Sequence, residues 1–382
     1  MKVLYVCPLA HLTGHPPFES TKETRILQEK GVDVELLTFC GVHEGFEVAV
    51  PQVRVMSDNF LFKKLRRKFV TQWILRVFEY GLTILKAVAV AKDRSIYLRD
   101  AEPFPHFVHI VNLFARKKWV ISSTGGLYTT GTGVSIWYKQ LLKLTSVTWP
   151  GWYKLSRGYI KYSVQGPEIK TLMYPLLGSN ITIVPLGHRI ESVTDRKIAQ
   201  RELGLSDDKL VVLIFGANHS GKDTEVVFKA LTDLKDTTLI HAGPSVQSAG
   251  KKPEELVQKY YSNALVFNRQ IGNIEKKLFF GASDWVILSY NTSFSSTTSM
   301  LWEACSFGIP VIASSGTQLE LLVKYWNVGI VFQAGDVESL KYHLHLARSK
   351  SLRDSYKINC RTFTEFYSEE KWCQQTLKLL KS

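Results

Sequence analysis

The chain has 382 residues, 45% of them hydrophobic and 21% charged. These proportions suit two folded domains and exclude a disordered chain or a third domain. Its net charge is +14, and residues 1–190 hold 25 basic side chains against 13 acidic ones. A basic first half beside a nearly neutral second implies an anionic surface or partner on one side, membrane or nucleic acid.

The first elements follow in order. Lys2–Cys7 has strand character rather than that of an apolar leader. A loop with Gly14 precedes a helical run from Thr21 to Lys30, which Gly31 ends, and Val32–Thr38 reads as the next strand. Phe60–Phe78 carries six positive charges and no acid. As a helix it places Phe62, Leu65, Phe69, Trp73 and Val77 on one face, with Lys63, Lys64, Arg67 and Lys68 opposite. No apolar run approaches the ~20 residues of a membrane span; the best, Val77 to Ala91, is interrupted by Glu79 and Lys86. Ile96–Arg99 is a strand leading into Asp100 and Glu102, and a further strand end follows at Val120–Gly126. From Pro103 to Pro167 there is no Asp or Glu but eight Lys and Arg, interleaved with Trp and Tyr. That mixture suits an anionic membrane interface, with nucleic acid as the competing reading.

Ile181–Gly187 reads as a strand closed by a Pro/Gly turn, and the charged segment Glu191–Lys209 as the hinge. A second start follows: strand Leu210–Phe215, loop Gly216–Lys222, helix Glu225–Leu234, strand Thr237–Ala242. Strands alternating with helices predict parallel, doubly wound α/β sheets, one per half. The five cysteines (Cys7, Cys40, Cys305, Cys360, Cys373) show no metal spacing and suit reduced thiols packed in a core. The expectation is a cytoplasmic protein, soluble or peripheral on the cytoplasmic face of a membrane.

Two stretches carry chemistry. Gly216-Ala-Asn-His-Ser-Gly221-Lys222-Asp223 has the G-x-x-x-x-G-K form between a strand and a helix. Asp223 stands where a magnesium-binding hydroxyl belongs, and the following strand ends in His241 rather than an acid. Both substitutions argue against an NTPase. What is left is a glycine-loosened loop and one lysine, able to hold a diphosphate without metal or simply solvated. In the second stretch, six hydroxyls at positions 293 and 295–299 precede a helix containing Glu303. They form a phosphate cradle or a helix cap.

Together with Lys2–Thr38, Arg201–Gly216, Ser283–Tyr290, Glu303–Ala313 and Val328–Leu340, these stretches resemble the GT-B glycosyltransferases, most closely the retaining family 4. The resemblance implies two Rossmann-like domains facing a cleft. These are an acceptor-binding domain at 1–187 and a donor-binding domain at 188–362, with a C-terminal helix at 363–382 crossing back to the first. It implies transfer of a sugar from a UDP- or GDP-linked donor to a glycan or lipid-linked acceptor, with retention and without metal or other cofactor. Lys222 would contact the donor diphosphate, with Gly216, Asn218, Ser295, Ser296, Thr297 and Thr298 around it. Glu303 would contact the ribose, and Gln270 and Ile271 the base. Ser295 stands where that family has a second glutamate and Ala217 where it has an arginine, for which Asn218 or His219 can substitute. These departures keep open a GT-B-like partner subunit without catalysis. On the acceptor side the residues are Gly14, His15, Arg99, Asp100 and His106. Asp100 is the expected hydroxyl contact or general base, with a helix cap as the alternative. An anionic membrane, and no nucleic acid, is the expected macromolecular contact.

Overall fold

A computed structural model describes residues 1–11, 15–56, 69–99, 105–123, 159–167, 170–171, 181–246, 250–292, 294, 298–316 and 318–381. These residues form two compact units: one runs up to Gly187 and resumes at Glu369, and the other runs from His188 to Ser368.

The first unit contains β1 (Lys2–Cys7), α1 (His15–Glu29), β2 (Asp33–Thr38), β3 (Gln52–Arg54), α2 (Phe69–Val90), β4 (Ser95–Arg99), α3 (Pro105–Ala115), β5 (Trp119–Ser123), β6 (Ile160–Val164) and β7 (Ile181–Ile183). Its seven strands are parallel in the order β3-β2-β1-β4-β5-β6-β7. Both faces are covered, which is why the strands read as continuous apolar runs. Leu4, Val6, Ile96 and Leu98 pack under Ile84 and Ala87 of α2, Ala91 just beyond it, and Val108 of α3. Val3, Tyr5, Val34 and Leu36 pack under α1 and Trp372, Leu379 and Leu380 near the C-terminus.

The second unit follows as α4 (Arg196–Glu202), β8 (Leu210–Phe215), α5 (Thr224–Leu231), β9 (Thr237–Ala242), α6 (Pro253–Tyr260), β10 (Ala264–Phe267), α7 (Asn273–Ala282), β11 (Trp285–Leu288), α8 (Ser299–Ser306), β12 (Val311–Ser314), α9 (Gln318–Trp326), β13 (Gly329–Phe332), α10 (Val337–Leu346) and α11 (Lys350–Phe366). Its parallel strands run β10-β9-β8-β11-β12-β13. The order reverses direction between β8 and β11, and such a switch point opens a crevice at the carboxyl ends of the strands. In the first unit the corresponding point lies between β1 and β4.

Several expectations change. Helix α1 starts at His15 rather than Thr21, because Pro16 and Pro17 occupy its first turn, where a missing N–H costs nothing. The strand read at Ile181–Gly187 covers only Ile181–Ile183, before Pro185. The segment Glu191–Lys209 is no hinge but a fixed part of the second unit. Asp195 caps α4, and Arg196 pairs at 3.0 Å with the buried Asp284, which Arg353 also reaches at 2.6 Å. The C-terminal run is not one helix. It breaks at Tyr367-Ser368, where the Tyr367 carbonyl accepts from His188 N, and α12 (Glu369–Lys381) belongs to the first unit. Of Phe60–Phe78, residues 57–68 lie outside the described set, and α2 begins at Phe69.

The first unit is pinned by buried charge. Arg99, at the end of β4, bonds Glu23 of α1, whose other oxygen accepts from Tyr5 Oη at 2.6 Å. Lys22 pairs with Glu19 at 2.6 Å and donates to the Gly187 carbonyl. Removing one member of a buried pair strands the other, at a cost of about 3–5 kcal/mol. Glu23→Ala is therefore expected to lower the unfolding free energy of the first unit by that amount, read by urea titration. A change under about 1 kcal/mol would refute the role.

Candidate functional site

The site is built at the β8/β11 switch point. Gly216 ends β8 with φ +86°, a left-handed conformation that strains any side-chain-bearing residue. Gly243, after β9, has φ +143°, and a Cβ there would lie 2.4 Å from the Gly216 carbonyl oxygen. The two loops thus touch backbone to backbone. Asn218 N then donates to the Pro244 carbonyl and Val246 N to that of Asn218. Lys222 pairs with Tyr290 in an antiparallel bridge beyond β11, and Asp223 N donates to the Ser289 carbonyl. Clamped from both sides, the loop holds Lys222 in a fixed place.

Lys222 Nζ donates to the carbonyls of Phe215 at 2.8 Å and Gly216 at 3.2 Å, and among the described residues no carboxylate pairs with it. Burial alone pushes its pKa down to about 8. It is an ammonium with a donor to spare and no counter-charge, an arrangement that favours an incoming anion. The N-terminus of α8 lies close by. A Cβ on Gly216 would sit 3.4 Å from Met300 Sδ and 3.8 Å from Lys222 Nζ.

The loop is not a P-loop. The amides of Gly216, Asn218, Gly221, Lys222 and Asp223 already bond within the protein, so they form no phosphate nest. Asp223 caps α5 through Val226 N, which accounts for a carboxylate at that position. Asn218 is buried and its Oδ1 accepts from Thr224 Oγ1, so it braces the loop and is not aimed at a ligand. His219 is the more suitable second donor. Its Nδ1 accepts from Gly221 N, which leaves the proton of the neutral ring on Nε2. Burial and the neighbouring Lys222 both lower its pKa.

Thr298 is a cap as well as a site residue. Its hydroxyl accepts from Met300 N at 3.2 Å and from Tyr290 Oη at 2.8 Å. Glu303, further along α8, is ion-paired with Lys276 of α7, a partner that sequence spacing does not reveal. Gln270 and Ile271 lie in the loop after β10, at the same edge of the sheet. There the Gln270 carbonyl accepts from Arg269, which is itself paired with Glu275. The structure thus gathers Gly216, Lys222 and Thr298 at the crevice, with Glu303 on the helix that opens there. Gln270 and Ile271 stand two strands away, roughly 10 Å. Ser295, Ser296 and Thr297 lie outside the described residues.

On the acceptor side, Gly14 and Asp100 also lie outside the described residues. His15 begins α1 and His106 sits in the first turn of α3, without described side chains. Arg99 was expected to contact a ligand. It is 4% exposed and is held by Glu23 and Glu19, so its charge is spent on the fold. Beside it, at the β1 end, His11 and the buried Glu79 approach to 3.7 Å, a pair too distant in sequence to be predicted from it. A cavity of about 440 Å³ in the second unit lies at the amino ends of β11 and β12, lined by Glu191, Arg196, Phe307, Lys357, Arg361 and Glu365. None of the expected site residues lines it.

His241 is the residue that sequence reading undervalued. It is fully buried on β9 in register with Ile214, and neither ring nitrogen has a hydrogen-bond partner. Burial, reinforced by the charge of Lys222, pushes its pKa down to about 3. A neutral ring behind Lys222 fills space without supplying a counter-charge. In the unfolded chain an ordinary histidine titrates near 6.5, so the unfolded state takes up a proton that the folded state refuses. Stability is therefore lost as pH falls from about 6.5 toward 3, by about 1.4 kcal/mol per unit. In His241→Leu, the stability difference between pH 7 and pH 5 should shrink by about 2 kcal/mol in urea titrations. An unchanged difference would show that His241 is not the titrating group.

Comparison with known proteins places this geometry. Residues 195–361 match the model of the family described as glycosyl transferases group 1. Over 100% of this chain, the fold matches a sucrose-phosphate synthase from Thermosynechococcus elongatus at TM-score 0.69 and 14% identity, covering 98% of that chain. It equally matches Anabaena HepE in complex with UDP at 0.69 and 13%, covering 100% of that chain. A glycosyltransferase from Rickettsia africae ESF-5 matches at 0.69 and 14%, with 97% of that chain covered. No protein of curated function matches the sequence. Residues 195–361 of the second unit are thus similar to the glycosyl transferases group 1 family, in a chain whose fold throughout is the GT-B fold.

Proposed function

We propose that the protein transfers a sugar from a nucleoside-diphosphate donor to a glycan or lipid-linked acceptor, with retention of configuration and without a metal. The observation that carries this reading is Lys222: a half-buried ammonium at a topological switch point, held among the described residues by two carbonyls. A donor diphosphate would supply the missing counter-charge, with His219 Nε2 as a second, neutral donor. Glu303, on α8, would accept from the ribose, with Lys276 holding its carboxylate in place. UDP in HepE and UDP-glucose in a further HepE structure favour a uridine nucleotide. In the transfer, the bond from the anomeric carbon to the diphosphate oxygen breaks. The acceptor oxygen bonds that carbon on the same face, and its proton passes to the departing phosphate oxygen. Lys222 stabilises the charge that develops on that oxygen. Asp100 is the proposed contact for the acceptor hydroxyl.

A second reading is a subunit that binds the nucleotide without turning it over. It is favoured by Ala217 in place of an arginine, which leaves one cation where the family has two. A donor-hydrolysis screen over common nucleotide sugars separates the two: turnover supports the enzyme, while binding without hydrolysis or transfer supports the subunit.

Calorimetry with UDP and GDP tests the shared premise. Lys222→Ala should weaken binding at least about tenfold, the worth of one charged hydrogen bond. A bound diphosphate raises the pKa of Lys222 above its free value of about 8. Affinity should therefore hold below pH 8 and fall by up to about tenfold per unit above it. Silence from both nucleotides, or full affinity in Lys222→Ala, would reject the donor site.

A further inference from the structure

Two helices on one face of the seven-stranded sheet turn apolar side chains outward. On α2, Phe78, Leu82 and Leu85 recur at spacings of four and three and are 59%, 38% and 49% exposed. They lie opposite Tyr80, Ile84 and Ala87, which face the core. On α3, Ile110, Leu113 and Phe114 are 43%, 41% and 88% exposed, while Val108 and Asn112 point inward. The two helices are neighbours: Phe107 lies over Gly81, and Lys117 Nζ donates to the Lys92 carbonyl at 2.6 Å where the helices end. Six large apolar side chains therefore share one outer surface, where a helix covering a sheet ordinarily carries polar residues.

The surroundings of this surface are cationic. Lys86, Lys92, Arg116 and Lys118 are exposed on or just beyond the two helices. The nearby acids among the described residues are occupied: Glu79 is buried beside His11, Asp93 is bound to Lys2 at 2.8 Å, and Glu35 pairs with Arg94. An apolar face bordered by unopposed cations fits the headgroup and acyl boundary of an anionic bilayer. A second copy fits poorly, because a two-fold interface would bring the cationic rims together.

We propose that the outer face of α2 and α3 docks the first unit on an anionic lipid bilayer, with Phe78, Leu82, Leu85, Ile110, Leu113 and Phe114 entering the interface. The docking residues differ from those of the donor site, so the proposal stands whether or not nucleotide binds. It gives a place to the membrane contact expected from the basic first half.

Flotation of the full chain with phosphatidylcholine vesicles, with and without phosphatidylglycerol, tests it. The protein should float with the phosphatidylglycerol vesicles, less so at high salt, and remain behind with phosphatidylcholine alone. Leu85→Asp combined with Phe114→Asp should cut the bound fraction about tenfold or more. Lys86→Glu combined with Arg116→Glu should cut it similarly. Because all four positions are exposed, circular dichroism and UDP calorimetry should match wild type. Failure of wild type to float, or wild-type flotation of the aspartate variant, overturns the proposal. So does a dimer, seen by light scattering, that the aspartate variant dissolves while vesicles capture neither protein. Normal flotation with no UDP binding would retire the donor site and leave the docking face intact.

Discussion

The second unit is organised around one uncompensated charge. Lys222 sits where the strand order reverses, bonded to the carbonyls that end β8, with a neutral histidine behind it and, among the described residues, no carboxylate paired with its ammonium. Most buried or half-buried cations of this unit are treated otherwise: Arg196 and Arg353 share Asp284, and Lys276 has Glu303. Leaving one ammonium without a partner costs stability, and that cost is recovered only when an anion binds. The glycines follow from the same need. Without glycine at 216 and 243, the β8 and β9 loops could not approach backbone to backbone.

The first unit solves a similar problem in the opposite way. At its own switch point the cation at the end of β4, Arg99, is drawn inward and paired with Glu23 and Glu19 of α1. That network ties α1 to the sheet and, through Lys22 and the Gly187 carbonyl, to the chain segment that leaves the unit. The charge of Arg99 is thereby neutralised, while exposed cations of the unit lie beside an apolar surface on α2 and α3. The same formal excess of basic residues thus has two different uses within one unit.

The strands were legible because burial on both faces removes alternation and leaves unbroken apolar runs: Leu210–Phe215 and Thr237–Ala242 appear where the sequence placed them. Lys222 was legible because its loop lies between such a strand and a helix. Pairings across long separations were not. Glu303 reads as a lone carboxylate until α7 brings up Lys276, and Arg99 reads as a ligand contact until α1 folds over it. Asp223 and Thr298 show how far residue type alone leads. Thr298 was read as a phosphate contact and Asp223 as a departure from the P-loop pattern, and each is first of all a helix cap. The exposed stripe on α2 escaped for a related reason. An apolar period of 3.6 reveals that a helix has an apolar face, but not which face the sheet takes.

The +14 charge can now be divided by what each part opposes. In the second unit, Lys222 is a half-buried cation with no ion pair among the described residues, which suits a small, highly charged ligand that needs few contacts of high quality. In the first unit, exposed cations border an apolar surface, which suits a broad, diffuse partner that contributes little energy per contact. A lone half-buried ammonium recognises an anion by position, and a cationic rim recognises a surface by field. For a transferase whose acceptor is carried in a membrane, the two kinds of electrostatics would have separate tasks. The rim would keep the enzyme at the lipid surface, and Lys222 would hold the soluble donor brought to it.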